Sequence, residues 1–191
     1  MRIKFSGKKL VYWADRYGYS VNDNQVIKLI PIVKNNGYLT KSQLFKVCKW
    51  KSPRSAGHVK KNSIVFIKEI TSIALSTQEE RTKIEILTLL NGVSWPSASV
   101  ILHFFHNDLY PILDFRALWS LGIEKVPTKY TFEFWWKYVS YCRELSLKHN
   151  IDMRILDKAL WQYSKENQNL INLRRTAPAV RGLVQPPINL T

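Results

Sequence analysis

Cysteine is scarce in this sequence, where only Cys48 and Cys142 occur, far apart and without a CxxC or CxxH pattern. This scarcity excludes a disulfide scaffold, an iron–sulfur cluster and a zinc finger. His103 and His106 stand one helical turn apart, but no carboxylate or further histidine completes a metal-binding spacing. We therefore expect no metal site and no cofactor.

Long apolar runs are also absent. The first residues, MRIKFSGKKLVYW, contain no apolar run of the length that a signal peptide needs, and no later stretch approaches a membrane-spanning helix. We therefore expect a soluble cytoplasmic protein, associated with the nucleoid if the source is bacterial, and no membrane partner.

Acidic residues are few, since 14 Asp and Glu stand against 29 Lys and Arg, giving a net charge of +15 and a pI of about 9.9. The stretch 24–68, here named the basic segment, contains no acidic residue at all. Its basic residues are Lys28, Lys34, Lys41, Lys46, Lys49, Lys51, Arg54, Lys60, Lys61 and Lys68. This imbalance predicts a polyanionic partner, with nucleic acid favoured over an anionic membrane surface.

The remaining composition is that of a folded protein. Of the 191 residues, 46% are hydrophobic and 13% are aromatic, too much apolar material for a disordered basic tail. The length allows one domain or two small lobes. Apolar residues recur three and four positions apart, and strand-like alternation is scarce, which predicts an all-α fold.

Several helix boundaries carry local signals. Thr40 and Gln43 have capping-box spacing, so we expect a helix from about Lys41 to Lys49. Ser76 with Glu79, or Thr77 with Glu80, has the same capping-box spacing, and we expect a helix that begins there and ends by Gly92. Amphipathic patterns predict two further helices over 131–148 and 152–166. The tail 169–191 is richer in Pro and Arg and is expected to be an extended C-terminal segment.

The most informative stretch is 89–122, reading LLNGVSWPSASVILHFFHNDLYPILDFRALWSLG. It predicts a helix, a tight turn at Asn91 and Gly92, and a second helix with Ser94 as N-cap and Pro96 in its first turn. Backbone N–H groups at such a hairpin point outward beside the positive end of the helix dipole. We therefore expect the hairpin, residues 90–98, to hold a phosphate.

These residues resemble the helix-hairpin-helix (HhH-GPD) DNA glycosylase superfamily. LNGVSWPSA stands for the family hairpin LPGVGxKTA, VILHFF for the second helix, and YPILD for the loop that presents an aspartate. Asp114 follows Pro96 by 18 residues, which matches the family spacing. Ser94 replaces the second glycine of the hairpin, and Pro96 replaces the lysine that forms a Schiff base in bifunctional members.

The resemblance implies a fold and a reaction. It implies a two-lobed helical fold with the DNA cleft between a central lobe, 25–107, and a second lobe, 1–24 plus 108–168. It also implies a catalytic role for Asp114, whose carboxylate would stabilise positive charge on the sugar or orient a water. Because a proline at position 96 has no nucleophilic amine, the expected activity is that of a monofunctional DNA glycosylase without lyase activity. The expected partner is duplex DNA with a flipped base, bound by a monomer.

The remaining site predictions concern DNA contacts. Trp50 is expected to stack on the flipped base, since its place in the basic segment puts an aromatic ring among cations. The expected DNA contacts are Gly92, Val93, Ser94, Trp95, Pro96, Ser97, Lys51, Arg54, Lys60 and Lys61.

Two other functions remain open. In a non-catalytic helix-hairpin-helix DNA-binding protein, Asp114 would only cap a helix, because Asp is a common N-cap residue. A membrane-surface or RNA-binding helical domain would depend on the basic segment alone. Within the glycosylase hypothesis, repair of damaged bases and defence against modified phage DNA are both consistent with the sequence.

Overall fold

The computed structural model describes residues 1–168, and these residues form helices but no strand. The α-helices are α1 (Leu10–Asp15), α2 (Val21–Ile27), α3 (Ile30–Asn36), α4 (Lys41–Lys51), α5 (Pro53–Ala56), α6 (Ile64–Ser76), α7 (Glu80–Glu85), α8 (Trp95–Phe105), α9 (Phe115–Ser120), α10 (Phe132–His149) and α11 (Met153–Asn167). Short 3-10 helices span Gly7–Lys9, Gly57–Lys61 and Ile86–Leu89. The predicted all-α class is confirmed. None of the helices described is long and apolar enough to cross a bilayer.

Local capping explains several of these boundaries. The capping box at Thr40 and Gln43 is present, with both reciprocal hydrogen bonds, so this prediction is confirmed. The predicted box at Ser76 or Thr77 is wrong, because α6 runs through Ser76 and the side chain of Glu79 caps α7 instead. A carboxylate at that position accepts a bond from Thr82 N, and this satisfies one free N–H group of the helix start.

The two chain ends of the described region lie together. Helix α1 packs against α11, which also contacts α9 and α10. Backbone hydrogen bonds from Arg2 N to Leu121 O and from Lys4 N to Ser120 O fix the first residues to the end of α9. The predicted lobe boundaries, 25–107 and 1–24 plus 108–168, stay a prediction, and the predicted tail 169–191 lies outside the described residues.

Helix α8 carries much of the core. Its residues Ala98, Val100, Ile101 and Leu102 are fully buried, and α4 packs against the same helix. Burial of this kind supplies the main stabilisation of a helical domain and leaves little freedom at either end of α8. The hairpin before α8 and the loop after it are therefore held on a rigid support.

Candidate functional site

Asp114 occupies the N-cap position of α9. Its backbone is extended, and its Oδ1 atom accepts a hydrogen bond from Arg116 N at 2.8 Å. This bond satisfies one N–H group of the helix start and fixes one carboxylate oxygen. The other oxygen, Oδ2, faces away from that bond and is available to a second partner.

The second partner is Lys51, whose Nζ atom lies 2.5 Å from Asp114 Oδ2. The exposed fraction of the two side chains is 10% for Lys51 and 17% for Asp114. The expected contact between Lys51 and a DNA phosphate is therefore corrected, because the ammonium group points inward to a carboxylate. The pair joins α4 to α9 across 63 positions of the chain.

The loop before Asp114 is held by three polar contacts. Asp157 Oδ1 accepts from Ile112 N at 3.2 Å, and Tyr138 donates its hydroxyl to Ile112 O at 2.8 Å. Ser99 Oγ accepts from Leu113 N at 2.8 Å. Because these partners are buried side chains on three different helices, the carboxylate of Asp114 is placed with little freedom.

A cavity of about 430 Å³ opens beside Asp114 and Lys51, and we name it the base cavity. Its walls include three aromatic rings, those of Tyr17, Trp50 and Trp161. Trp50 packs edge-to-face on Phe104, with ring centroids 5.9 Å apart, which fixes the orientation of its ring. A cavity of this size with aromatic walls is suited to a planar ligand.

Another wall of the base cavity consists of charged residues that were not predicted from the sequence. Arg154 donates from Nη1 to Asp157 Oδ2 at 2.8 Å, and its Nη2 atom lies 3.7 Å from Asp23 Oδ1. Tyr17 donates its hydroxyl to the same Asp23 atom at 2.8 Å. Arg154 and Asp157 lie three residues apart on α11, and this spacing predicts their contact. Nothing local in the sequence indicates that Asp23 of α2 lies beside Arg154.

A second cavity, of about 450 Å³, also borders the Lys51–Asp114 pair, and we name it the hairpin groove. Arg54, Pro96 and Tyr130 are among its lining residues, and Lys51 and Asp114 line it as well. Burial, with a smaller contribution from the Asp114 carboxylate, raises the pKa of Tyr130 to about 12. The hydroxyl group of Tyr130 is therefore a hydrogen-bond donor at neutral pH.

The hairpin has the expected tight turn, with φ of +88° at Gly92. Ser94 is extended, with φ of −104°, so the missing second glycine does not require a strained conformation here. Ser94 takes the N-cap position of α8 without a side-chain capping bond. Within residues 1–168, no protein acceptor takes the N–H groups of Ser94 and Trp95, which leaves them available to an anion.

The residues of the predicted hairpin contacts differ in how much of their surface is exposed. Ser97 is fully buried, and its hydroxyl lies 3.4 Å from Ser52 Oγ, so it has no surface to offer to DNA. The side chain of Val93 belongs to the hydrophobic core. Trp95 is half-buried against Trp135, with ring centroids 6.3 Å apart. The hairpin surface therefore consists of the exposed Asn91 and Ser94, the backbone of the turn, and the half-buried Trp95 and Pro96.

The basic side chains beside the hairpin are exposed. Arg54, Lys60 and Lys61 lie on α5 and the following 3-10 helix, and all three are open to solvent. This stretch touches the turn directly, because a Cβ added to Gly92 would lie 3.0 Å from both Ser55 O and Val59 N. The structure therefore brings three of the predicted cations to the hairpin, while their contact with DNA stays a prediction.

Comparisons with known proteins give a limited result. No family model and no curated protein matches the sequence. The chain is similar to the solved Methanocaldococcus jannaschii 8-oxoguanine glycosylase/lyase in complex with 15mer DNA containing 8-oxoguanine, with 18% identity, a TM-score of 0.48 and coverage of 84% of this chain and 81% of that one. It is also similar to a second structure, the 8-oxoguanine DNA glycosylase of the same organism, with 16% identity, a TM-score of 0.46 and coverage of 84% and 78%. Similarity of this size does not transfer an activity, so the proposals below depend on the geometry of this chain.

Proposed function

We propose that this protein is a DNA glycosylase that hydrolyses the N-glycosidic bond of a flipped base. The observation that carries the proposal is the position of Asp114, a largely buried carboxylate that lines both an aromatic cavity and a groove beside the hairpin. A base in one compartment and a DNA strand in the other would place the sugar at the carboxylate.

Each part of the site has a role in this reaction. The free N–H groups of Ser94 and Trp95 and the exposed cations beside them hold the DNA backbone. The base leaves the stack and enters the base cavity, where Trp50 and its aromatic neighbours offset part of the energy of unstacking. As the glycosidic bond breaks, Asp114 stabilises the positive charge that develops on the sugar.

Position 96 bears on whether the DNA strand is also cut. Pro96 lines the hairpin groove and has no amine that could attack the sugar. We therefore propose hydrolysis by water, which leaves an abasic site in an intact strand. A damaged base and a modified base of foreign DNA both fit this proposal, because aromatic cavity walls suit planar ligands in general.

One observation favours the alternative of a non-catalytic DNA-binding protein. Asp114 Oδ1 caps α9 through Arg116 N, and such a cap stabilises a helix without any catalytic role. Asp152 offers an internal standard, because its Oδ1 atom caps α11 through Arg154 N at 2.7 Å and does not line the base cavity.

The experiment compares the wild type with Asp114→Asn and Asp152→Asn. Each protein is incubated with duplexes containing uracil, 8-oxoguanine, 7-methylguanine or 5-hydroxymethylcytosine, and with genomic DNAs that carry natural modifications. Released bases are identified by mass spectrometry, and DNA affinity is measured separately. Since asparagine is also a good N-cap, both substitutions keep their helices.

The glycosylase proposal expects at least one base to be released by the wild type and by Asp152→Asn. Asp114→Asn should release that base at least ~100-fold more slowly, with a nearly unchanged affinity for DNA. No release from any probe by the wild type would support the binding protein instead. Stronger binding to single-stranded RNA or anionic vesicles than to duplex DNA at matched salt would contradict both.

A further inference from the structure

Lys51 lies where the base and the sugar of a bound nucleotide would meet. It is the last residue of α4, and its side chain lines both the base cavity and the hairpin groove. The preceding residue, Trp50, lines the base cavity as well. A base stacked on Trp50 would therefore have the ammonium group of Lys51 close to its edge.

The position of this cation conflicts with a reaction in which Asp114 acts alone. The sugar becomes positively charged as the base leaves, and an ammonium group 2.5 Å from the carboxylate weakens the stabilisation that Asp114 gives to that charge. The departing base has the opposite requirement, because it takes the electron pair of the broken bond and becomes negative. An ammonium group beside the base stabilises this negative charge and can neutralise it with a proton.

We propose that Lys51 is the general acid of the reaction, an inference that rests on the proposed glycosylase function. The bond between C1′ and the base nitrogen breaks, its electron pair goes to the base, and the Lys51 ammonium transfers one proton to the base. Water then adds its oxygen to C1′ and gives a proton to the Lys51 amine, which becomes an ammonium again. Asp114 stays ionised throughout, and the sum is one water consumed per base released.

The other cations that line the base cavity are less suited to this role. Arg154 is engaged with Asp157, and a guanidinium group does not lose its proton in proteins. Lys165 is exposed and does not line the hairpin groove. Among the residues that the structure describes, Lys51 is the lysine that combines low exposure, contact with Asp114 and access to both compartments.

The test uses the full chain and the base that the wild type releases. Lys51→Ala removes the proton donor and leaves space for a small amine, whereas Lys51→Arg keeps the charge without a transferable proton. Lys49→Ala, an exposed position on the same helix, is the matched control. Single-turnover base release is measured with and without methylammonium, and circular dichroism and DNA affinity confirm that each variant is folded and binds.

We expect Lys51→Ala and Lys51→Arg to release the base at least ~100-fold more slowly than the wild type, and Lys49→Ala to match the wild type. Methylammonium should restore at least ~10-fold to Lys51→Ala and nothing to Asp114→Asn. Wild-type rates in either Lys51 variant would overturn the proposal, and so would a loss in Lys51→Ala that methylammonium does not repair. A borohydride-trapped adduct between Lys51 and DNA would also overturn it, because Lys51 would then be a nucleophile. Absence of release by the wild type from every probe would instead overturn the glycosylase function itself.

Discussion

The side-chain amide of Asn62 makes hydrogen bonds to both backbone groups of Asn91. Asn62 Nδ2 donates to Asn91 O at 2.9 Å, and Asn62 Oδ1 accepts from Asn91 N at 2.9 Å. Asn62 is itself buried, so these bonds are shielded from water. They fix the hairpin turn to the end of the 3-10 helix that carries Lys60 and Lys61, so the turn and these cations form one continuous surface.

Gly92→Ala tests whether this surface depends on the close approach of the turn. Two features of Gly92 oppose a side chain, its positive φ and the distance of only 3.0 Å that an added Cβ would have to Ser55 O and Val59 N. We expect a loss of stability of about 1–3 kcal/mol and a lower affinity for duplex DNA. Chemical denaturation and a binding titration measure the two effects.

Gly37→Ala is the matched control for that substitution. Gly37 has a similar φ of +73°, but nothing lies within 4 Å of an added Cβ. We expect it to lose only about 1 kcal/mol, from the conformational penalty alone, and to bind DNA as the wild type does. Equal effects of the two substitutions on stability and affinity would show that the close approach at Gly92 is unimportant.

The elements that could be predicted from the sequence are those with local signals. Thr40 and Gln43 lie three residues apart, and their capping box depends on nothing outside that turn. The turn at Gly92 and the caps of α10 and α11 at Thr131 and Asp152 are likewise set by neighbouring residues. Hydrophobic periodicity then gives the length of each helix, because it reflects which face is buried.

The contacts that define the site are of another kind. From the sequence, Lys51 is interpreted as one more cation of the basic segment, and only the tertiary fold brings its ammonium group to Asp114 at the start of α9. From the sequence, Ser97 is interpreted as a polar residue of an exposed hairpin, yet it is fully buried, as are most of the α8 residues that follow it. Such contacts join residues distant in sequence, and a single sequence contains no local signal for them.

Lys51 and Asp114 should be energetically coupled in the folded protein. Replacing one partner leaves a largely buried charge without compensation, whereas replacing both removes the unfavourable charge as well. For Lys51→Met, Asp114→Asn and the double variant, we expect a coupling free energy of about 1–3 kcal/mol from denaturant unfolding. The exposed pair Lys4 and Glu124 should give a much smaller value, and equal values for the two pairs would contradict the prediction.

The salt dependence of DNA binding should identify the phosphate contacts. Lys60 and Lys61 are exposed beside the hairpin. A lysine that contacts a phosphate releases a counterion from the DNA, and each released ion steepens the fall of the logarithm of the binding constant with the logarithm of the salt concentration. Lys60→Ala with Lys61→Ala should reduce that slope by up to about 2 and weaken binding to all duplex sequences alike. Lys148→Ala, at an exposed position on α10, should leave the slope unchanged. An unchanged slope in the double variant would place the DNA elsewhere.

Asp23, in the wall of the base cavity, should make the free energy of unfolding of the protein dependent on pH. Asp23 is 4% exposed, and its carboxylate accepts hydrogen bonds from Ser20 N at 2.8 Å, from the Ser20 hydroxyl and from the Tyr17 hydroxyl. Burial alone would raise its pKa, but these hydrogen bonds lower the pKa of Asp23 below its ordinary value of 3.8. A group whose pKa is lower in the folded state contributes stability above its unfolded pKa and loses it as the pH falls.

We therefore expect the wild type to be more stable than Asp23→Asn at neutral pH, and this difference to shrink below about pH 4. Urea unfolding of both proteins at a series of pH values measures the difference, and base release at neutral pH reports whether the wall of the cavity survives. Asparagine keeps the size of the side chain but has no titrating carboxyl group, so the pH dependence of the difference reports the ionisation of Asp23. A difference that is constant from about pH 6 to pH 3 would mean that the Asp23 carboxylate gains nothing from its partners in the folded state.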